Sequence, residues 1–424
     1  MSAEGSLAAP AAGRSLLKFR LFLMMVLQFF VWGAWLPVLF DYMGKLNFNE
    51  GQTALVGSTF AIASIFGIFF SNQFADRTFA AEKFMAGSHL ISGLALLGMY
   101  FTRDFNIFFT LMLVHSLVYV PTISVSNSLA FANLRDPEKE FGPVRMGGTI
   151  GWILAAWPLY FILQGVAPDA VVNAQSTVFI VSGVASLILA GYSLTLPHTP
   201  PKPAAGGADN LAWLKAFRLL AVPYILVLFI VTFIDSTIHN GYFVMAYTYL
   251  GKIGLPGQYI MPVMSIGQVA EILTMAGLGV ALAKLGWKTT MIMGVLGHAA
   301  RFAVFAFFSD SIPTIVLVQV LHGICYAFFF ATLYIFIDAA FPKDIRTSAQ
   351  GLFNLLILGI GDLAAKWLFV PLQAHYTQDG VTNYQALFLV PVGMALAGAI
   401  ILALFFHPPK ETQAEVVGQP ATAH

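Results

Sequence analysis

The sequence predicts an all-α membrane protein: twelve transmembrane helices in two six-helix bundles. Three observations carry this reading. The 424 residues are 58% hydrophobic and only 10% charged, with a mean hydropathy of +0.79, whereas a soluble domain carries about 25% charged residues. About twelve apolar runs recur, each near the roughly 20 residues that carry a helix across a ~30 Å hydrocarbon core. The longest polar break, 197–213, holds Pro-Pro-Lys-Pro and Gly-Gly and parts these runs six and six.

Taken in order, the first span (19–40) follows Arg14, Lys18 and Arg20. A basic start of this kind resembles a signal peptide, but the apolar run is too long and no small-residue cleavage site follows. It is therefore expected to stay as the first helix. The second (54–75) ends in Phe74-Ala75-Asp76-Arg77, and the third is 83–101. The fourth (105–128) carries Asn127 late, and the fifth (145–165) opens with Arg145, Thr149 and Trp152. The sixth is 176–196. After the break, the seventh (219–243) sets Asp235, His239 and Tyr242 on one face, with Thr237 and Asn240 beside them. The eighth (258–282) holds Ser265 to Glu271, and the ninth (289–308) Arg301. The tenth (312–337) repeats His322, Tyr326 and Phe329 at helical spacing. The eleventh (348–372) pairs Asp362 with Lys366, and the twelfth is 385–406. The expected organisation is a tail (1–18), a bundle (19–196), a linker (197–218), a bundle (219–406) and a second tail (407–424).

Loop Lys and Arg residues are unevenly shared. Arg14, Lys18, Arg20, Lys83, Arg135, Lys139, Lys284 and Lys288 fall on one side with several others; Lys45, Arg103 and Lys252 fall on the opposite side. The positive-inside rule puts the first side, and both termini, in the cytoplasm of a cell (inner) membrane. A net charge of +1 suggests no nucleic-acid partner, and the single Cys325 leaves no disulfide framework or Cys-based metal site. With no glycine-rich phosphate loop carrying a lysine, ATP-driven transport is not expected. No Ser-His-Asp set falls together, so an enzyme is not expected either, and neither is a metal or organic cofactor.

The polar residues inside the spans carry the functional expectation. Gln268 and Glu271 share a helix face near the bilayer midplane, where such groups are costly unless they face a cavity or partner. Their plainer role is an interhelical hydrogen-bonded pair. Gln28 and Trp32, one turn apart, and Asn127 are candidate pocket lining. Asp235 with His239 reads equally as a proton relay or as a satisfied pair. Asp362 with Lys366 reads as a structural ion pair, Arg301 as an anchor to a neighbouring group, Asp338 as a gate or loop bridge, and Phe328 to Phe330 as packing. Amides, hydroxyls and aromatic faces suit a neutral, polar, partly flat substrate. Carboxamides both donate and accept, and rings stack on bases for roughly 1–3 kcal/mol each. Residue types alone leave nucleoside and sugar both open.

Two six-helix halves around a midplane site is the major facilitator plan, and Asp76-Arg77 with Lys83 resembles that superfamily's loop signature. Six runs sharpen the resemblance: Leu27 to Trp35, Tyr119-Val120-Pro121-Thr122, Arg145 to Gly151, Ser265 to Glu271, Arg301-Phe302-Ala303 and Ile345 to Gly351. The chain resembles the nucleoside:proton symporters of that superfamily from about residue 19 to 406. The resemblance implies nucleoside contacts at Arg145, Thr149, Trp152, Asn240, Gln268 and Glu271. His322 and Tyr326 stand where the family has tyrosine and phenylalanine. Thr237 stands where it has glutamine, and Ala327 where it has an acid tied to proton coupling. Glu271 is then the expected proton carrier, with Asp235 and His239 or His322 as substitutes. Hydropathy puts Arg145 at the mouth of its span, whereas the resemblance puts it in the site. The expected partners are a small-molecule nucleoside and the lipid bilayer, the coupling ion is the proton, and the protein is expected to be a monomer. A sugar symporter, an uncoupled facilitator and a non-transporting receptor are the alternatives.

Overall fold

The computed structural model describes residues 11–67, 79–201, 217–341 and 343–408. Helices stand at each of the twelve expected places. The first span is Ala11–Lys45, the second is Glu50–Gly57 continued by Thr59–Phe66, the third is Ala81–Tyr100 and the fourth is Phe105–Asn133. Pro137–Leu154 with Ala156–Ile162 makes the fifth, and Val171–Ser193 the sixth. The seventh is Pro223–Lys252. The eighth and ninth form one helix, Gly257–Phe307, broken at Gly286, whose φ of 70° lies in the left-handed region that glycine enters freely. The tenth runs through Ile312–Val318, Leu321–Cys325, a π-helical turn at Tyr326–Ala331, and Thr332–Ala340. The eleventh is Lys343–Asn354, a second π-helical turn at Leu355–Ile360, and Gly361–His375. Tyr384–Phe405 is the twelfth. Among the described residues, eight of these helices are long and apolar enough to cross a membrane unaided. The end of the second span with Asp76-Arg77, most of the linker, and much of both tails lie outside the described residues.

Several helices outrun their apolar stretches. The first continues to Lys45 rather than stopping near residue 40, the fifth begins at Pro137 rather than 145, and the sixth begins at Val171 rather than 176. Polar residues at a helix end lower the hydropathy without interrupting backbone hydrogen bonding. Between the eleventh and twelfth spans a two-residue hairpin, Thr377–Gln378 with Val381–Thr382, turns on Asp379 and Gly380. Both have positive φ, as a tight hairpin turn of this kind requires.

Glycines set the closest helix contacts. A Cβ on Gly151 would collide with the Val26 carbonyl of the first span, and one on Gly147 with that of Phe22. This small-xxx-small pair lets the first and fifth spans touch backbone to backbone. The eighth and tenth spans interlock similarly: a Cβ on Gly267 would sit 2.8 Å from the His322 Cβ, and one on Gly323 would strike the backbone of Ala270 and Glu271.

The first and seventh, second and eleventh, and fifth and eighth spans meet across the seam between the halves. Towards the face that carries Lys45, the seam is shut by polar bridges. Gln175 Nε2 donates to Asp41 Oδ2 (2.8 Å) and to the Tyr247 hydroxyl (3.4 Å), and Trp367 Nε1 donates to Ser58 Oγ (3.1 Å). At the face that carries Arg20, that arginine donates to the Thr195 carbonyl, and Lys18 Nζ lies 2.5 Å from Glu140 Oε1. Glu82 accepts from the Thr199 backbone N–H (3.0 Å), with His198 Nδ1 2.8 Å away, tying the third span to the start of the linker.

Gly151→Leu is expected to force the first and fifth spans apart, at a cost of about 1–3 kcal/mol or more. Thermal unfolding in detergent checks this, with Gly191→Leu as a control, since a Cβ there meets nothing within 4 Å and the backbone is helical.

Candidate functional site at the seam

At mid-depth the seam encloses a space of about 250 Å³ lined by Gly33, Trp152, Phe243, Met264, Ser265 and Gln268. Its free interior is about 10 Å³, room for about one water molecule, so the site is contracted in this state. A second space of about 260 Å³ lies between Trp32, Trp35, Phe60, Gly57, Asp362 and Lys366. Rings connect the two. Trp32 stacks on Phe60 (4.4 Å) and meets Trp152 edge-on (5.2 Å), and Trp152 meets Phe243 across the seam (5.9 Å). Gly33 makes room for the Trp152 indole, which would lie 3.1 Å from a Cβ there.

Trp152 lines this space, and Arg145, Thr149, Trp152, Glu271 and Tyr326 are each half-buried. With the fifth span starting at Pro137, Arg145 lies roughly 12 Å along the helix. Its guanidinium covers the Phe29 ring at 4.1 Å and acts electrostatically on both Glu271 and Tyr326. Asn240 donates to the Ser236 carbonyl (2.9 Å) and to that of Ile357 in the eleventh span's π-helical turn (3.2 Å). Its amide nitrogen is thus engaged. Trp32 Nε1, Asn127 Oδ1 and His239 Nδ1 are among the buried polar atoms without a hydrogen-bond partner. Buried polar atoms are nearly always paired, so these are atoms that water or a polar ligand would satisfy.

Three expected contacts are turned away. Gln28 is buried inside the first bundle, donating to Thr122 Oγ1 and lying 2.8 Å from His89 Nε2, while the Tyr119 hydroxyl donates to its carbonyl. That chain continues through Ser186 and Ser92 to His115, so Gln28 serves bundle architecture rather than pocket lining. The Thr237 hydroxyl donates to the Phe233 carbonyl within its own helix, the usual resort of a threonine in a helix. His322 is almost fully buried and its ring nitrogens belong to a polar chain behind the cavity, so it reaches a ligand only through Gln268.

That chain centres on Arg301, which has no exposed surface. Nη1 lies 2.6 Å from His322 Nδ1 and Nη2 lies 3.2 Å from His298 Nδ1, while the guanidinium carbon sits 4.2 Å over the Tyr242 ring. Arginine only donates, so both imidazoles accept at Nδ1 and, when neutral, carry their hydrogen on Nε2. His298 Nε2–H then points at Asp235 Oδ2, 3.6 Å away. His322 Nε2–H points at the Gln268 carboxamide, 3.2 Å away. The carboxamide must present its oxygen there, since its O and N positions are interchangeable in assignment, which turns its NH2 towards the cavity. Asp235 and His239 are therefore not the pair that their spacing suggests. His239 instead stacks on His322 (5.0 Å), and the base facing Asp235 is His298. The sequence reading passed over His298, although its place three residues before Arg301 put both on one helix face. Phe243, Met264, Asp41 and Gln175 were also passed over: the first two look like ordinary core residues, and the last two lie beyond the apolar runs. Arg301 is an anchor to neighbouring groups, as expected, and Lys366 donates to Asp362 within the eleventh span.

Residues 16–411 match the family described as Nucleoside H+ symporter. Among curated proteins, the chain is 34% identical to YegT of Escherichia coli (strain K12), covering 81% of each. It is 29% identical to the xanthosine permease of the same organism, covering 94% of this chain and 98% of that one. The crystal structure of the nucleoside transporter NupG superposes with a TM-score of 0.81 at 26% identity, over 93% of this chain and all of that one. The major facilitator arrangement expected from the runs of residues is thereby met, and these relatives are transporters.

Lys366→Met would leave the buried Asp362 carboxylate unpaired, at an expected cost of about 3–5 kcal/mol. Adding Asp362→Asn should return most of it, as read by thermal unfolding of the single and double variants.

Proposed function

Because the chain belongs to the Nucleoside H+ symporter family, we propose that it imports nucleosides with protons by alternating access. The observation that carries this reading is the seam site. Arg145 and Glu271 come from opposite halves and act on each other electrostatically, beside an indole wall and a carboxamide whose NH2 faces the cavity. The Trp152 face takes the base, with Phe243 across from it. The NH2 of Gln268 donates to a carbonyl or ring nitrogen of the base. The Asn240 oxygen accepts from an amino or hydroxyl group. Glu271 and Arg145 grip the sugar hydroxyls from the two sides of the seam, so binding draws the halves together.

Orientation follows the Lys and Arg distribution, with the Arg20 face and both termini in the cytoplasm. On that reading, the Asp41, Gln175 and Tyr247 bridges close the outer gate, and the described state faces inward. Glu271 carries a proton inward alongside the nucleoside and gives it up once the cavity is hydrated. Both walls of the site come from one chain, so a monomer suffices.

Protein reconstituted in vesicles is expected to accumulate labelled uridine or adenosine when the outside is acidic, and Glu271→Gln to abolish that accumulation. Uptake that equilibrates equally with and without the gradient would point to a facilitator, and competition by disaccharides to a sugar carrier. Trp152→Ala should weaken nucleoside binding by about 5- to 150-fold, the equivalent of roughly 1–3 kcal/mol of stacking, in equilibrium binding to purified protein.

A further inference from the structure

We propose that Asp235 is a second proton-binding site of the transporter, read out at the nucleoside site through His298, Arg301, His322 and Gln268. The inference rests on the symport reading and deepens it, since Asp235 does not touch the cavity.

The argument begins with what each group in the chain is free to do. His298 and His322 each accept from Arg301 at Nδ1, so neither imidazole takes a further proton without losing that bond. The guanidinium is already fully protonated. Asp235 differs: its side chain is 0% exposed, and neither oxygen has a hydrogen-bond partner. It is the one member of the chain with open acceptor positions. A carboxylate held this way inside a bilayer-spanning bundle is costly and marks a functional position by default.

Its surroundings are predominantly basic or neutral. From the ninth span come His298 and Arg301, from its own helix His239, and from the tenth His322 and Cys325. The eleventh contributes Lys366, which acts on His239 and is paired with Asp362. The eighth contributes the neutral Gln268, with Glu271 beyond it. The twelfth span (Tyr384–Phe405) carries no ionisable side chain past Tyr384. The first meets the seventh near Tyr247, where Asp41 is the acid.

The readout follows from charge balance. With Asp235 ionised, its charge offsets that of Arg301 across the His298 ring. A proton added to a carboxylate oxygen makes a neutral acid, breaks no other bond, and leaves the guanidinium unopposed. Its field then polarises His322 Nε2–H and, through it, the Gln268 carboxamide, whose NH2 becomes a stronger donor to a ligand acceptor. Proton and nucleoside thus favour each other's binding, as symport requires and as linkage makes reciprocal.

The test is uridine affinity against pH in purified full-length protein, with uridine counterflow and pH-driven accumulation in vesicles. The wild type is expected to lose affinity with rising pH, by up to ~10-fold per unit where one proton is linked. In Asp235→Asn the part of this slope that persists in Glu271→Gln should vanish, and counterflow should continue while accumulation fails. An Asp235→Asn variant that keeps the full slope and accumulates uridine overturns the inference. A wild type with no pH dependence sinks the symport reading itself. Should Asp235→Asn fail to fold, His298→Gln decides. A displaced midpoint of the pH profile supports the chain, because a purely structural ring would not move it, and an unmoved midpoint overturns it.

Discussion

A guanidinium buried without exposed surface in a membrane bundle can be kept there only by groups that accept from it, and Arg301 imposes that demand on everything around it. Two imidazoles meet it at Nδ1. Their tautomers follow, and with them the direction of each hydrogen bond out to Asp235 on one side and Gln268 on the other. Tyr242 caps the cation with its ring face and sends its hydroxyl to Gln319 Oε1 at 2.8 Å.

The two halves use polar residues differently. In the first, Gln28, His89, His115, Tyr119 and a set of serines form a neutral network that holds helices together. In the second, the buried network contains formal charges and ends at the cavity wall. Glycine contacts make both arrangements possible. Gly147 and Gly151 bring the fifth span against the first, and Gly267 and Gly323 bring His322 within reach of Gln268. A side chain at any of these positions would separate the groups that must touch.

The helical membrane fold and the places of its helices were legible because a bilayer tests each ~20-residue run almost independently of its neighbours. Arg145, Glu271, Gln268, Trp152 and Tyr326 were legible as residues because they interrupt apolar runs within recognisable motifs. The helix ends were less so: Asp41 and Gln175 lie on helices that continue past their apolar stretch, and hydropathy stops where the backbone does not.

Local spacing fixed which face of a helix each polar residue occupies, but not which neighbour that face would meet. Asp235 and His239 share a face, yet the fold sets His298 before the carboxylate and lays His239 on His322 instead. Gln28 sits one turn from Trp32, yet its carboxamide is taken by His89 and Thr122. A single helix specifies angles around its own axis. Partners between helices depend on rotation and approach distance, which come from packing all the spans together, and so the residues were readable in the chain while their pairing was not.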